Sequence, residues 1–164
     1  MANPLPDESR LYQRIKDENI KVPLDVWDLI YHRIGDALSA INLKCEYYLQ
    51  INQVMPIDEA KNILNYTRII KLVIDKLTKK TPQEDQNFPE FKKNSDLHPV
   101  ILDMFTHYIP NDAYCINLVI YDSIDPVDPQ PVSTERIKKI LSHTKSSKAF
   151  MDRLREATLQ TSKF

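Results

Sequence analysis

Residues 24–51 read LDVWDLIYHRIGDALSAINLKCEYYLQI, and the spacing inside this stretch decides the fold. Trp27, Tyr31, Ile34, Leu38, Ile41, Cys45 and Tyr48 follow one another at steps of 4, 3, 4, 3, 4 and 3. That is the heptad seam of a helix burying one face against other helices. Pro23 stands just before it, where a proline's missing N–H costs nothing and its fixed φ suits a first turn. At 1.5 Å per residue the expected helix is a rod of roughly 42 Å. A second proline-free stretch, 57–81, repeats the pattern with Ile63, Thr67, Ile70, Ile74 and Leu77. It places Asp58 and Glu59 in its first turn and Lys79 and Lys80 in its last, both favourable to the helix dipole. Only Asn52-Gln53-Val54-Met55-Pro56 lies between, so the helices are expected to run antiparallel as a hairpin. Two rods with one apolar stripe each bury little alone. Pairing two hairpins into a four-helix bundle covers both stripes, so a homodimer through residues 24–81 is expected.

Around this hairpin the chain divides at its prolines. Residues 1–23 form an N-terminal extension with a short helix, and 82–95 read as a polar linker. The remainder, 96–164, reads as a small α+β segment. In it Leu97 to Tyr108 is a short helix, and residues 113–121, rich in β-formers, are the best strand in the chain. Residues 123–132, SIDPVDPQPV, form a loop; Ser133 or Thr134 then caps a last helix, whose polar Thr144–Lys148 stretch invites a kink. The fold class is therefore mainly α, with a small α+β tail.

Composition narrows function further. The 164 residues include one glycine, Gly35. Every Gly-built phosphate cradle needs several residues without a Cβ, so Rossmann, Walker and kinase-type loops are excluded. Two cysteines, Cys45 and Cys115, make neither a disulfide framework nor a zinc site and fit a reducing compartment. No signal-peptide order opens the chain, and no apolar run approaches the roughly 20 residues a bilayer requires. A cytoplasmic protein is expected. Residues 1–81 hold 12 basic and 11 acidic side chains, 82–131 hold 2 and 9, and 133–163 hold 8 and 3. The basic tail could bind nucleic acid, but the acidic segment before it makes mutual neutralisation the favoured reading. His98, His107 and His143 lack ligand spacing with either cysteine, so no metal is expected. Asp122, Asp125 and Asp128 are interleaved with prolines and read as a solvated loop rather than a calcium site.

His32 is the residue of chemical interest. It lies beside the seam on a face continuing through Asp36, Ser39 and Leu43, which should point its ring at solvent. A neutral imidazole offers a nucleophilic nitrogen at neutral pH and can accept a phosphoryl group. The plain alternative is a surface histidine without a role. The run His32-Arg-Ile-Gly-Asp-Ala-Leu38-Ser39-Ala40-Ile41 resembles the H-box of two-component sensor histidine kinases, H-E-L-R-T-P-L-T-A-I. His32, Leu38, Ser39, Ala40 and Ile41 match, with Ser standing for Thr. The resemblance implies a dimerisation and histidine-phosphotransfer hairpin at 24–81, followed by the truncated opening of an ATP-binding domain. It implies His32 as phosphoacceptor, Arg33 and Asp36 beside it, and Ser39 and Leu43 on the surface that meets a partner.

The departures from the family are specific. Arg33 replaces the acidic base of autophosphorylation. Asp36 replaces the Thr or Asn used in phosphatase activity, and its charge would repel a phosphoryl group. Ala37 replaces Pro. The magnesium-binding asparagine would fall near Ser147, and no glycine-rich lid exists, so neither ATP nor another cofactor is expected. Two functions follow as expectations: a histidine phosphotransferase or docking partner for response-regulator receiver domains, or a non-catalytic module that pairs with a sensor kinase or other partner, with His32 a relic.

Overall fold

The computed structural model describes residues 6–77 and 97–159, and among these residues it is helical, without a β-strand. The helices are α1 (Pro6–Asp17), α2 (Leu24–Ile30), α3 (Asp36–Gln50), α4 (Ile57–Leu77), α5 (Pro99–Ser123) and α6 (Thr134–Thr158). Between α2 and α3 the backbone never leaves the helical region but opens into a π turn over Tyr31–Gly35, so α2, the turn and α3 are one rod. The expected linker 82–95 and the last turn of the second helix, 78–81, lie outside the described residues.

Helix ends follow from side-chain chemistry. The Ser133 hydroxyl accepts from the Arg136 N–H at 3.3 Å, capping α6 as expected. His98 caps α5, its Nδ1 accepting from the Val100 N–H at 3.1 Å, and Pro99 follows where its lost donor is harmless. α1 and α3 close through asparagines in the left-handed region, Asn19 at φ 51° and Asn52 at φ 53°. There the Ile20 N–H reaches the Ile15 carbonyl at 3.0 Å, and the Gln53 N–H reaches that of Tyr48 at 3.0 Å. Helices usually terminate this way on glycine; asparagine is the next residue to tolerate that conformation, and this chain has almost no glycine.

Contacts between helices give the order and direction. Lys44 meets Glu59 at 2.7 Å across α3 and α4. Thr67 meets Asn117 at 2.7 Å across α4 and α5. Ser123 accepts from Arg136 at 2.7 Å across α5 and α6. Thr144 of α6 bonds Asn42 of α3, and Tyr31 donates to Asp152 at 2.5 Å farther along the same pair. Between the rod and α6 the partner number falls as the other rises, from Asn42–Thr144 to Tyr31–Asp152. The same holds between α5 and α6, from Ser123–Arg136 to Asp112–Ser147, so each of these pairs runs antiparallel. The rod, α4, α5 and α6 pack in turn as a closed ring. Short bridges lock it. Met55 and Val132 exchange backbone hydrogen bonds at 2.9 Å, and the Val22 N–H donates to the Thr158 carbonyl at 2.7 Å. α1 lies against α5 and α6, held by the buried Glu8 carboxylate, which accepts from Arg153 Nε at 2.8 Å and from a second guanidinium nitrogen at 3.1 Å. Such a forked pair satisfies both carboxylate oxygens and makes burial of the charge tolerable. Burial, followed by the charge of Glu8, raises the Tyr12 phenol above its ordinary range.

Trp27, Ile34, Leu38, Ile41 and Cys45 of the seam are at most 2% exposed, while Tyr31 and Tyr48 sit at its edges, half-buried. α5 and α6 of the same chain cover this seam, with Phe105 6.0 Å from Trp27 and Phe150 6.2 Å from Phe105. The burial argument that called for a second copy of the hairpin is thereby removed. No helix among the described residues is long and apolar enough to cross a membrane.

Two expectations need correction. The short helix at 97–108 and the strand at 113–121 are a single helix, α5, running through Pro110. Ile101, Phe105, Ile109, Ile116 and Ile120 all face the core, and their burial outweighs both the proline and the β-forming composition. Among the described residues the expected α+β tail therefore carries no strand. α6 likewise runs unbroken through Thr144–Lys148, because Thr144 and Ser147 point inward and are bonded there.

Candidate functional site

The π turn carries the candidate histidine. An α-helix that opens to a π turn accommodates an extra residue at the cost of poorer hydrogen bonding, so such turns persist where neighbouring packing holds them. Here the anchor is Tyr31. Its hydroxyl bonds Asp152 at 2.5 Å, the Arg155 guanidinium lies 5.5 Å from its ring centre, and its other side meets Trp27 at 5.9 Å. Burial and the bond to Asp152 raise its phenol above the usual range, so it stays a neutral donor. Ile34, on the same turn, is fully buried. The turn is thus fixed on both of its inner corners, and His32 projects outward.

His32 is 66% exposed, and its Nδ1 stands 3.3 Å from Oδ2 of Asp36, itself 72% exposed. A carboxylate beside Nδ1 favours the proton on that nitrogen, which leaves Nε2, across the ring, with its lone pair. The charge expected to repel a phosphoryl group therefore sits on the side of the ring away from the nucleophilic nitrogen. An exposed pair of this kind contributes little to stability. Its consequence is orientation.

His32, Asp36 and Ser39 border an open groove of about 500 Å³ whose other wall is α6, with Lys148 at the rim and Met151 beneath. Ser39 is exposed, and Leu43, farther along the same flank, is 69% exposed. Arg33 does not join them; it is half-buried and outside the groove lining. Of the residues singled out from the sequence, the structure gathers His32, Asp36 and Ser39 in one groove and continues their flank to Leu43, and it sets Arg33 apart. Ser147, the position expected near a magnesium-binding asparagine, is instead buried and donates to Asp112 at 2.8 Å.

Sequence reasoning missed three contributors. Lys148 arrives from α6, and only the antiparallel packing of α6 on the rod brings it near His32. Tyr31 belonged to the apolar seam in the heptad reading, which hides its role as a polar strut. Tyr47, one turn beyond Leu43, is 56% exposed and extends the apolar flank; its spacing from Leu43 was visible.

Elsewhere, His143 Nδ1 lies 3.0 Å from Asp112, which also accepts from Ser147. The serine is bonded to the carboxylate and not to the imidazole, so this is no nucleophile–base relay. It satisfies a buried acid. Among the described residues no three His, Cys, Asp or Glu side chains converge as metal ligands. In the last turn of α5, Asp122 pairs with Arg136 at 2.9 Å, and in the loop that follows Asp125 and Asp128 bond their own loop. Compared with known protein families, with curated proteins and with solved structures, the chain matches none.

Proposed function

We propose that this chain is a docking partner for response-regulator receiver domains and that His32 accepts and returns a phosphoryl group there. The observation carrying the proposal is the outward-facing imidazole on a turn pinned from both sides, with Asp36 at Nδ1 and a lysine on the facing helix. In the transfer, Nε2 attacks the phosphorus of the receiver's aspartyl phosphate. The N–P bond forms, the P–O bond to the aspartate breaks, and the carboxylate leaves with its electron pair. The ring gains positive charge, which Asp36 stabilises at Nδ1–H, while Lys148 offers a cation to the phosphoryl oxygens. Magnesium belongs to the receiver in this scheme, so the missing ATP machinery does not oppose it. Leu43 and Tyr47 supply the apolar part of the contact. Because the ring of helices closes within one chain, transfer does not require a second copy.

The exposed Asp36 carboxylate supports a second reading, docking without transfer, since it leaves a negative charge in the lining of the groove that holds His32. Incubation with a panel of phosphorylated receiver domains separates the two. Transfer predicts acid-labile phosphate on this chain, abolished by His32→Gln with binding retained. Docking alone predicts no labelling. Leu43→Asp should weaken binding under both readings, because seating an unpaired carboxylate in an interface costs about 2 kcal/mol or more. If both variants bind as the parent does, the proposal fails.

A further inference from the structure

On the opposite edge of the ring from the His32 groove, α4 and α5 part to form a larger groove of about 720 Å³. Small-molecule sites fall at roughly 300–1,000 Å³ and combine apolar lining with a few placed polar groups. This groove has that character. Thr67, Ile74 and Ala113 in its lining are buried, and the Thr67 hydroxyl lies 2.7 Å from Asn117 across the two helices. Exposed Arg68 and Lys71 stand on the α4 wall, and Tyr114, 63% exposed, stands on the α5 wall one turn from Asn117. Pro110 also lines the groove. Having no N–H, it deprives the Thr106 carbonyl, in the same lining, of its usual intrahelical donor. A proline inside a helix and a tyrosine held largely in water are both features that packing of the ring does not require.

We propose that this groove binds a small aromatic anion, its planar ring against Tyr114, its acid group on Arg68 and Lys71, and a polar edge on Asn117. Cation and aromatic face one another across the groove, which suits a ligand bearing both a ring and a charge. A nucleic-acid strand fits less well. Asp75 lies in the lining toward the end of α4, so the positive wall is a local patch rather than a continuous track.

The test uses the full chain and 1-anilinonaphthalene-8-sulfonate, itself an aromatic anion whose fluorescence rises on binding. Saturable binding with one site per chain is expected. Arg68→Glu combined with Lys71→Glu should weaken it about tenfold or more, since it removes the charge-assisted contacts. Tyr114→Ala should also weaken it. Lys138→Glu with Lys139→Glu, at exposed α6 positions outside the groove, should leave it unchanged. Cooperative thermal unfolding of each variant shows that it is folded; where the charge reversal fails that check, Arg68→Gln with Lys71→Gln replaces it. 2-Naphthoate should displace the probe and acetate should not. Equal binding by parent and groove variants, or equal displacement by the two acids, overturns the proposal. Displacement by a single-stranded oligonucleotide with steep salt dependence overturns it in favour of a nucleic-acid surface.

Discussion

Thr158→Val tests how the two ends of the fold are joined. Thr158 is fully buried; its hydroxyl accepts from the Trp27 indole N–H at 3.1 Å and donates to the Leu154 carbonyl at 2.7 Å. Valine keeps the shape and removes the acceptor. The indole N–H is then stranded in a dry interior, which costs about 1–3 kcal/mol. The added methyl recovers up to about 0.8 kcal/mol, so a net loss of about 1–2 kcal/mol is expected. In a Trp27→Phe background there is no N–H to strand, and Thr158→Val should be close to neutral. The coupling between the two changes is therefore about 1–2 kcal/mol, measurable by a double-mutant cycle. Urea unfolding followed by far-UV circular dichroism is the suitable assay, because Trp27 is the chain's one tryptophan and its fluorescence vanishes in that background. Thr158→Ser, which keeps the acceptor, should lose only about 1 kcal/mol for its methyl. If Thr158→Val costs the same in both backgrounds, the hydrogen bond does not contribute as argued.

Further outcomes follow from burial and backbone geometry. Burial pushes the Cys45 thiol up from 9.0 to about 12. A thiol reagent at neutral pH should therefore titrate Cys115 alone in the folded protein and both cysteines after unfolding. In the unfolded chain Cys45 ionises first, so the unfolded state binds fewer protons above pH 9 and stability should fall from there toward 12; a melting temperature that rises over this range would contradict the burial. Gly35→Ala should stabilise by about 0.5–1 kcal/mol, since Gly35 has φ −60° and an added Cβ meets Tyr31 at an ordinary 3.5 Å. A lower melting temperature for this variant would show that the π turn needs the glycine. Sedimentation at micromolar concentration should give a monomer, because the seam is covered within the chain; a stable dimer would point to the Leu43–Tyr47 flank as its interface.

The parts of the fold legible in the sequence are those governed by local spacing. The rod, the α4 start, the Ser133 cap and the exposure of His32, Ser39 and Leu43 all follow from 3.6-residue periodicity and end-group chemistry. α5 was obscured because Pro110 and the Ile-Asn-Leu-Val-Ile run are local signals for a break and a strand. Against them stood Phe105, Ile109, Ile116 and Ile120 at helical spacing, a longer-range pattern that tertiary burial made decisive. The closure of the ring was not legible at all. Thr144 and Ser147 look like polar interruptions until Asn42 and Asp112 are placed opposite them, and that pairing joins residues 102 and 35 positions apart.

The π turn also bears on how the rod tolerates changes in length. A π turn is an α-helix that has absorbed one additional residue. Deleting a single residue within Tyr31–Gly35 lets the rod close as uninterrupted α-helix while Leu24–Ile30 and Asp36–Gln50 keep their faces toward the core. The same deletion at Ala40 rotates everything beyond it by about 100° and turns Cys45 and its neighbours out of the interior. A scan of one-residue deletions along the rod should therefore find one permissive window, and it coincides with the segment that presents His32.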